Sequence, residues 1–176
     1  MFRVLLAPLV VVLILMHERS ASNAAAAVFI LGAATDGLDG YVARRYATAT
    51  RIGQWLDPLA DKILVAAPLS ALAALGRFPA WAAAVIVFRE ALVALLRMSL
   101  SRRGHAMPAT PAAKAKTWAQ MLAVALYMVP LSGWAERARS PAVLVAVALT
   151  VWTGWAYWAR ARRANGGKPA LRMSPE

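Results

Sequence analysis

The segment Asp36–Lys62, DGLDGYVARRYATATRIGQWLDPLADK, holds four aspartates, Asp36, Asp39, Asp57 and Asp61, in a chain with only eight acidic residues. On either side of it the sequence is apolar. Residues three or four apart share one face of a helix. Asp36, Asp39, Gly40 and Ala43 follow that spacing, and so do Gly53, Asp57 and Asp61. The segment therefore reads as the end of one helix, a short loop from Ala47 to Ile52, and the start of a second, antiparallel helix.

Working outward, the apolar flanks extend to runs long enough to cross a bilayer as helices, which takes about 20 residues. The chain is 61% hydrophobic and 16% charged over 176 residues, with a mean hydropathy of +0.55. Soluble domains carry about 25% charged residues. We expect an all-α, polytopic membrane protein with six transmembrane helices. These are Phe2–Met16, about Asn23–Tyr46, about Gly53–Leu75, about Ala80–Leu100, about Lys116–Trp134 and about Ala142–Ala159. Gly76–Pro79 and Glu136–Pro141 read as turns, and Ser101–Ala115 as a longer polar loop. Residues 1–160 form one membrane domain, and 161–176 form a basic cytoplasmic tail, expected to be poorly ordered. The first span is short, and we expect the native helix to have further residues ahead of it. No cysteine is present, so disulfides and thiolate metal sites are excluded.

The formal net charge is +12. The basic residues cluster in short loops between apolar runs, which fits lipid headgroups and topology signals rather than nucleic acid. With the N-terminus inside, thirteen Lys and Arg fall in inner segments, four (Arg19, Arg77, Arg137, Arg139) in outer turns and three (Lys62, Arg89, Arg97) within helices. That split places both termini, and the aspartate-rich junction, on the cytoplasmic side of the cell membrane.

Four carboxylates on facing helices in a low dielectric repel one another unless some are protonated or cations lie among them. Each charge at membrane depth costs about 2.5–3.5 kcal/mol on insertion scales, so a purely structural cluster is hard to account for. All-oxygen donors suit hard divalent cations, Mg²⁺ or Mn²⁺, and two of them would balance four aspartates and still attract a phosphate. Gly40, Ala43 and Gly53 leave room for close approach. Arg44 lies within reach of a phosphate. Taken together the segment has the parts for phosphoryl-group chemistry.

At these residues the sequence resembles the CDP-alcohol phosphatidyltransferase family. Its signature is D-x-x-D-G-x-x-A-R, eight residues, then G-x-x-x-D-x-x-x-D, and here Asp36, Asp39, Gly40, Ala43, Arg44, Gly53, Asp57 and Asp61 fill every position. The resemblance implies transfer of a phosphatidyl group from a CDP-linked lipid to an alcohol, with release of CMP. It further implies that the four aspartates hold two divalent cations, that Gly40, Ala43, Arg44 and Gly53 line the nucleotide site, and that Asp61 is the general base. Members are usually homodimers.

The segments Phe88-Arg89-Glu90 to Arg97 and Lys114 to Gln120 are similar to the branch of the family that uses CDP-diacylglycerol and glycerol 3-phosphate. That similarity makes Arg97, Lys114 and Lys116 candidates to hold the acceptor phosphate. The two lysines also read as topology charges. Glu90 reads either as a partner of Arg97, two turns on, or as a group that orients a substrate-binding basic residue. Two other readings stand beside this one. One is a cardiolipin-forming member of the same family, with phosphatidylglycerol as acceptor. The other is a divalent-cation transporter, against which the carboxylates lie at one membrane edge and not near the midplane.

Overall fold

The computed structural model describes the backbone of residues 2–46, 51–102 and 111–166, and the side chains of residues 5–35, 62–100 and 112–163. All the regular structure among them is helical: α1 (Phe2–Leu15), α2 (Arg19–Tyr46), α3 (Arg51–Ala74), α4 (Ala80–Arg102), α5 (Pro111–Met128), the single turn α6 (Trp134–Arg137) and α7 (Arg139–Gly166). The expected all-α class holds. Trp134–Arg163 is, among the described residues, the stretch long and apolar enough to cross a membrane by length and composition.

Helix ends follow local chemistry. His17, at φ 58°, breaks the chain between α1 and α2, so α2 starts at Arg19 rather than near Asn23. The fifth helix was expected from Lys116 to Trp134, but it runs from Pro111 to Met128. Proline at a first helical position loses no hydrogen bond, which lets α5 start there. Pro130 drives the residue before it out of helical geometry, which ends α5 early. Glu136–Pro141, expected as a turn, is mostly helical: α6 covers its first residues and α7 begins at Arg139, with Pro141 in its first turn. The last helix continues past Arg160 to Gly166, and residues 167–176 of the expected tail lie outside the described residues.

The last carbonyls of α5 need partners once the helix stops. Arg139 donates from Nε to Leu126 O at 3.0 Å and from Nη2 to Val129 O at 2.7 Å, with its guanidinium 5.4 Å from the Tyr127 ring centre. Arg77 donates to Met128 O at 3.1 Å and to Ser22 Oγ at 3.3 Å. Two of the four arginines read as outer-turn charges thus cap α5, and cations at a helix C-terminus are favourable there.

Helix α1 packs against both α2 and α3, α5 and α4 each pack against α7, and α2, α3 and α4 complete the bundle through α5 and each other. At Gly32 of α2 a Cβ would lie 2.9 Å from Leu6 Cδ1 of α1 and 3.4 Å from Leu64 Cδ2 of α3. Glycine is what allows the three helices to meet. Val10, Ile14, Phe29, Leu64, Leu69, Leu72, Ile86, Val124, Met128 and Val143 form the fully buried core. Outward faces are also apolar, with Leu5, Phe88, Leu95 and Trp155 each more than half exposed. A water-soluble surface would leave such patches small, whereas a surface against lipid is built of them.

Candidate active site

Inside this bundle the charged side chains gather around one carboxylate. Glu90, on α4, accepts from Lys62 Nζ of α3 at 3.0 Å and from Arg89 Nη1 beside it at 2.9 Å. It also accepts a hydrogen bond from Lys116 Nζ of α5. Side-chain exposure falls from 30% for Lys62 through 13% for Arg89 to 6% for Lys116, with Glu90 at 20%. A buried ammonium requires a counter-charge, and among the described residues Glu90 supplies it for Lys116.

The neighbouring helix α7 fixes the other end of this cluster. Arg89 Nη2 donates to Thr153 Oγ1 at 2.8 Å, and Thr153 returns its own proton to Leu149 O at 2.6 Å. Gly154 makes room for the guanidinium, since a Cβ there would lie 3.0 Å from Arg89 Nε. One turn back, Gln120 Nε2 donates to Thr150 Oγ1 at 2.8 Å with both side chains buried. Threonines bonding a carbonyl four residues earlier keep their hydroxyls satisfied inside a helix bundle. Four helices, α3, α4, α5 and α7, are therefore tied at one level by polar contacts.

Between α3, α4 and α5 lies a small cavity of about 30 Å³, with Lys62, Glu90, Lys116, Thr117 and Gln120 on its polar side and Val65, Ile86 and Val87 among its apolar walls. It has room for one or two waters. Thr117 Oγ1 donates to Ala113 O at 3.1 Å.

The aspartates lie in the later part of α2 and the first part of α3. The backbone carries Asp36 and Asp39 on α2 and Asp57 and Asp61 on α3. Their side chains, and those of Gly40, Ala43, Arg44 and Gly53, lie outside the described residues. Among the described residues no three carboxylates or histidines are grouped to hold a metal. The connection that can be drawn is through the chain: Lys62, which bonds Glu90, directly follows Asp61 on α3.

Of the three residues expected at an acceptor phosphate, Lys116 is in the cavity wall and buried, while Lys114 and Arg97 are exposed and do not line the cavity. Residues two apart on a helix do not face the same way, which separates the two lysines. Glu90, read from sequence as a partner of Arg97 or as an orienter of a basic residue, holds three basic side chains. The sequence reading had not linked Lys62 to it. The signal was available: Lys62 is a charge inside an apolar helix, and Glu90 is a carboxylate inside another.

Comparison with known proteins bears on what such a site does. A family model described as CDP-alcohol phosphatidyltransferase matches residues 1–152. Over 151 residues the chain is 41% identical to a probable phosphatidylglycerophosphate synthase of Mycobacterium tuberculosis (strain ATCC 25618 / H37Rv), an alignment spanning 86% of this chain and 72% of that protein. It is 41% identical over 140 residues to the CDP-diacylglycerol–glycerol-3-phosphate 3-phosphatidyltransferase of Bacillus subtilis (strain 168), covering 78% and 72%. It is 34% identical over 168 residues to the protein of the same name from Escherichia coli (strain K12), covering 92% and 91%.

Proposed function

The chain belongs to the CDP-alcohol phosphatidyltransferase family, and on that premise we propose that it moves the phosphatidyl group of CDP-diacylglycerol onto glycerol 3-phosphate, giving phosphatidylglycerophosphate and CMP. The observation that carries the choice of acceptor is the similarity, over nearly the full length of both chains, to a protein named for that reaction. The protein is an integral membrane enzyme of phospholipid synthesis. Six spans, cytoplasmic termini, a cytoplasmic active site and a homodimer complete the reading. The apolar outward faces of α1, α4 and α7 support it.

The donor set of Asp36, Asp39, Asp57 and Asp61 is all carboxylate oxygen, which fits a hard divalent cation such as Mg²⁺ or Mn²⁺. These four residues would hold two such ions. Bound there, the ions supply charge neutralisation at the pyrophosphate. Gly40, Ala43, Arg44 and Gly53 line the nucleotide side. Asp61 takes the proton from the acceptor hydroxyl as the new oxygen–phosphorus bond forms and the bond to CMP breaks. Lys116, in the cavity wall, holds the acceptor phosphate, while Lys114 and Arg97 of the sequence reading stand outside that wall.

A cardiolipin-forming activity and cation transport are the less favoured readings, since the similar proteins are named for transfer to glycerol 3-phosphate. The deciding experiment is CMP release by the purified protein with CDP-diacylglycerol and Mg²⁺, with glycerol 3-phosphate and phosphatidylglycerol offered separately. Release with glycerol 3-phosphate alone is the expected result. Release with phosphatidylglycerol alone would replace the acceptor, and release with neither would overturn the reading.

A further inference from the structure

From the convergence of Lys62, Arg89 and Lys116 on one carboxylate, we infer that Glu90 is a positioning residue for the acceptor, fixing the Lys116 and Lys62 ammonium groups at the wall of the cavity between α3, α4 and α5. The inference rests on the reaction given above.

Three cations meet one carboxylate here. Glu90 therefore orders them without neutralising them: Arg89 is drawn toward Thr153 of α7, and Lys62 and Lys116 with Glu90 leave a surplus of one positive charge at the cavity wall. A lysine is a compact charge on a flexible four-carbon stem. Left to itself it samples many rotamers, and an anion that binds it must order it first. In this protein the ordering is already done. Lys116 arrives from α5, Lys62 from α3, and Glu90 joins them from α4, itself braced by Arg89 against Thr153 and the open face at Gly154 of α7. Lys62 follows Asp61 on α3, so the same carboxylate sets the acceptor side of the site in register with the helix that carries the general base. Simple charge counting predicts the opposite effect. If Glu90 only competed with the acceptor for its lysines, removing its charge would tighten acceptor binding.

The test is steady-state kinetics of the full-length protein with CDP-diacylglycerol, Mg²⁺ and glycerol 3-phosphate, comparing wild type, Glu90→Gln, Glu90→Asp, Lys116→Met and the double variant Glu90→Gln/Lys116→Met. Glu90→Gln is expected to raise the KM for glycerol 3-phosphate by about tenfold or more, the scale of one lost charge-assisted contact. The KM for CDP-diacylglycerol should stay within about twofold. Glu90→Asp, which keeps the charge on a shorter stem, should fall between wild type and Glu90→Gln, and it carries the test if Glu90→Gln is recovered unfolded. In the Lys116→Met background Glu90→Gln should raise the acceptor KM by less than it does in wild type, because only its contact to Lys62 remains. An acceptor KM that is unchanged or lower in Glu90→Gln overturns the inference. So does a fall in kcat with both KM values unchanged, which is what a merely structural role would give. Wild-type turnover with glycerol 3-phosphate tests the reaction, and the split between the two KM values tests Glu90, so the two can fail separately.

Discussion

One carboxylate shared by three cations predicts an asymmetry in stability. Removing Lys116 leaves Glu90 with Lys62 and Arg89, so no buried charge is stranded. Lys116→Met gives up one charge-assisted hydrogen bond but also spares the desolvation of an ammonium that is 6% exposed. These terms oppose each other, and the net change should be within about 1 kcal/mol. Glu90→Met strands three cations at once, unequally. Lys62, at 30% exposure, can turn toward water, and Arg89 keeps Thr153. Lys116 has neither escape among the described residues, and an uncompensated buried charge costs about 3–5 kcal/mol. For a domain of this size each kcal/mol lowers the melting temperature by about 2–4 °C. Glu90→Met should therefore melt roughly 6–20 °C below wild type, and Lys116→Met within about 4 °C of it. Thermal unfolding of the detergent-solubilised protein, followed by tryptophan fluorescence, measures both. The reasoning is refuted if Lys116→Met is destabilised as much as Glu90→Met.

Asp57→Asn and Asp61→Asn should each lower CMP release by roughly 10²–10⁴-fold while leaving the melting temperature near wild type, as expected for a lost ligand or base; chelation of divalent cations should abolish release in wild type, and Mg²⁺ or Mn²⁺ should restore it. Wild-type rates in either variant would remove those residues from the site. Arg139→Ala frees the carbonyls of Leu126 and Val129 and the face of Tyr127, and should cost about 2–3 kcal/mol, read as a melting temperature lower by roughly 4–12 °C. An unchanged value would mean that water caps α5 equally well.

The sequence by itself determined the class of fold and the chemistry. Apolar runs leave helices as the economical way to satisfy backbone hydrogen bonds away from water, so the all-α class could be read directly. The aspartate pattern could be read because its spacing is local: three- and four-residue steps along one helix need no knowledge of its neighbours. Helix ends were legible where glycine or proline marks a turn, as at Gly76–Pro79, and less so where a proline starts a helix, as at Pro111, or truncates one, as at Pro130. Only the tertiary structure decided which charges meet. Lys62, Arg89, Glu90, Lys116 and Thr153 span 92 sequence positions and four helices. No periodicity along one helix encodes the rotation of another, and that rotation is set by side-chain packing throughout the bundle, at contacts such as Gly32 against Leu6 and Leu64. Helical period alone puts Lys114 and Lys116 about half a turn apart, and the rotation of α5 decides that Lys116 enters the cavity wall with Glu90 while Lys114 stays exposed.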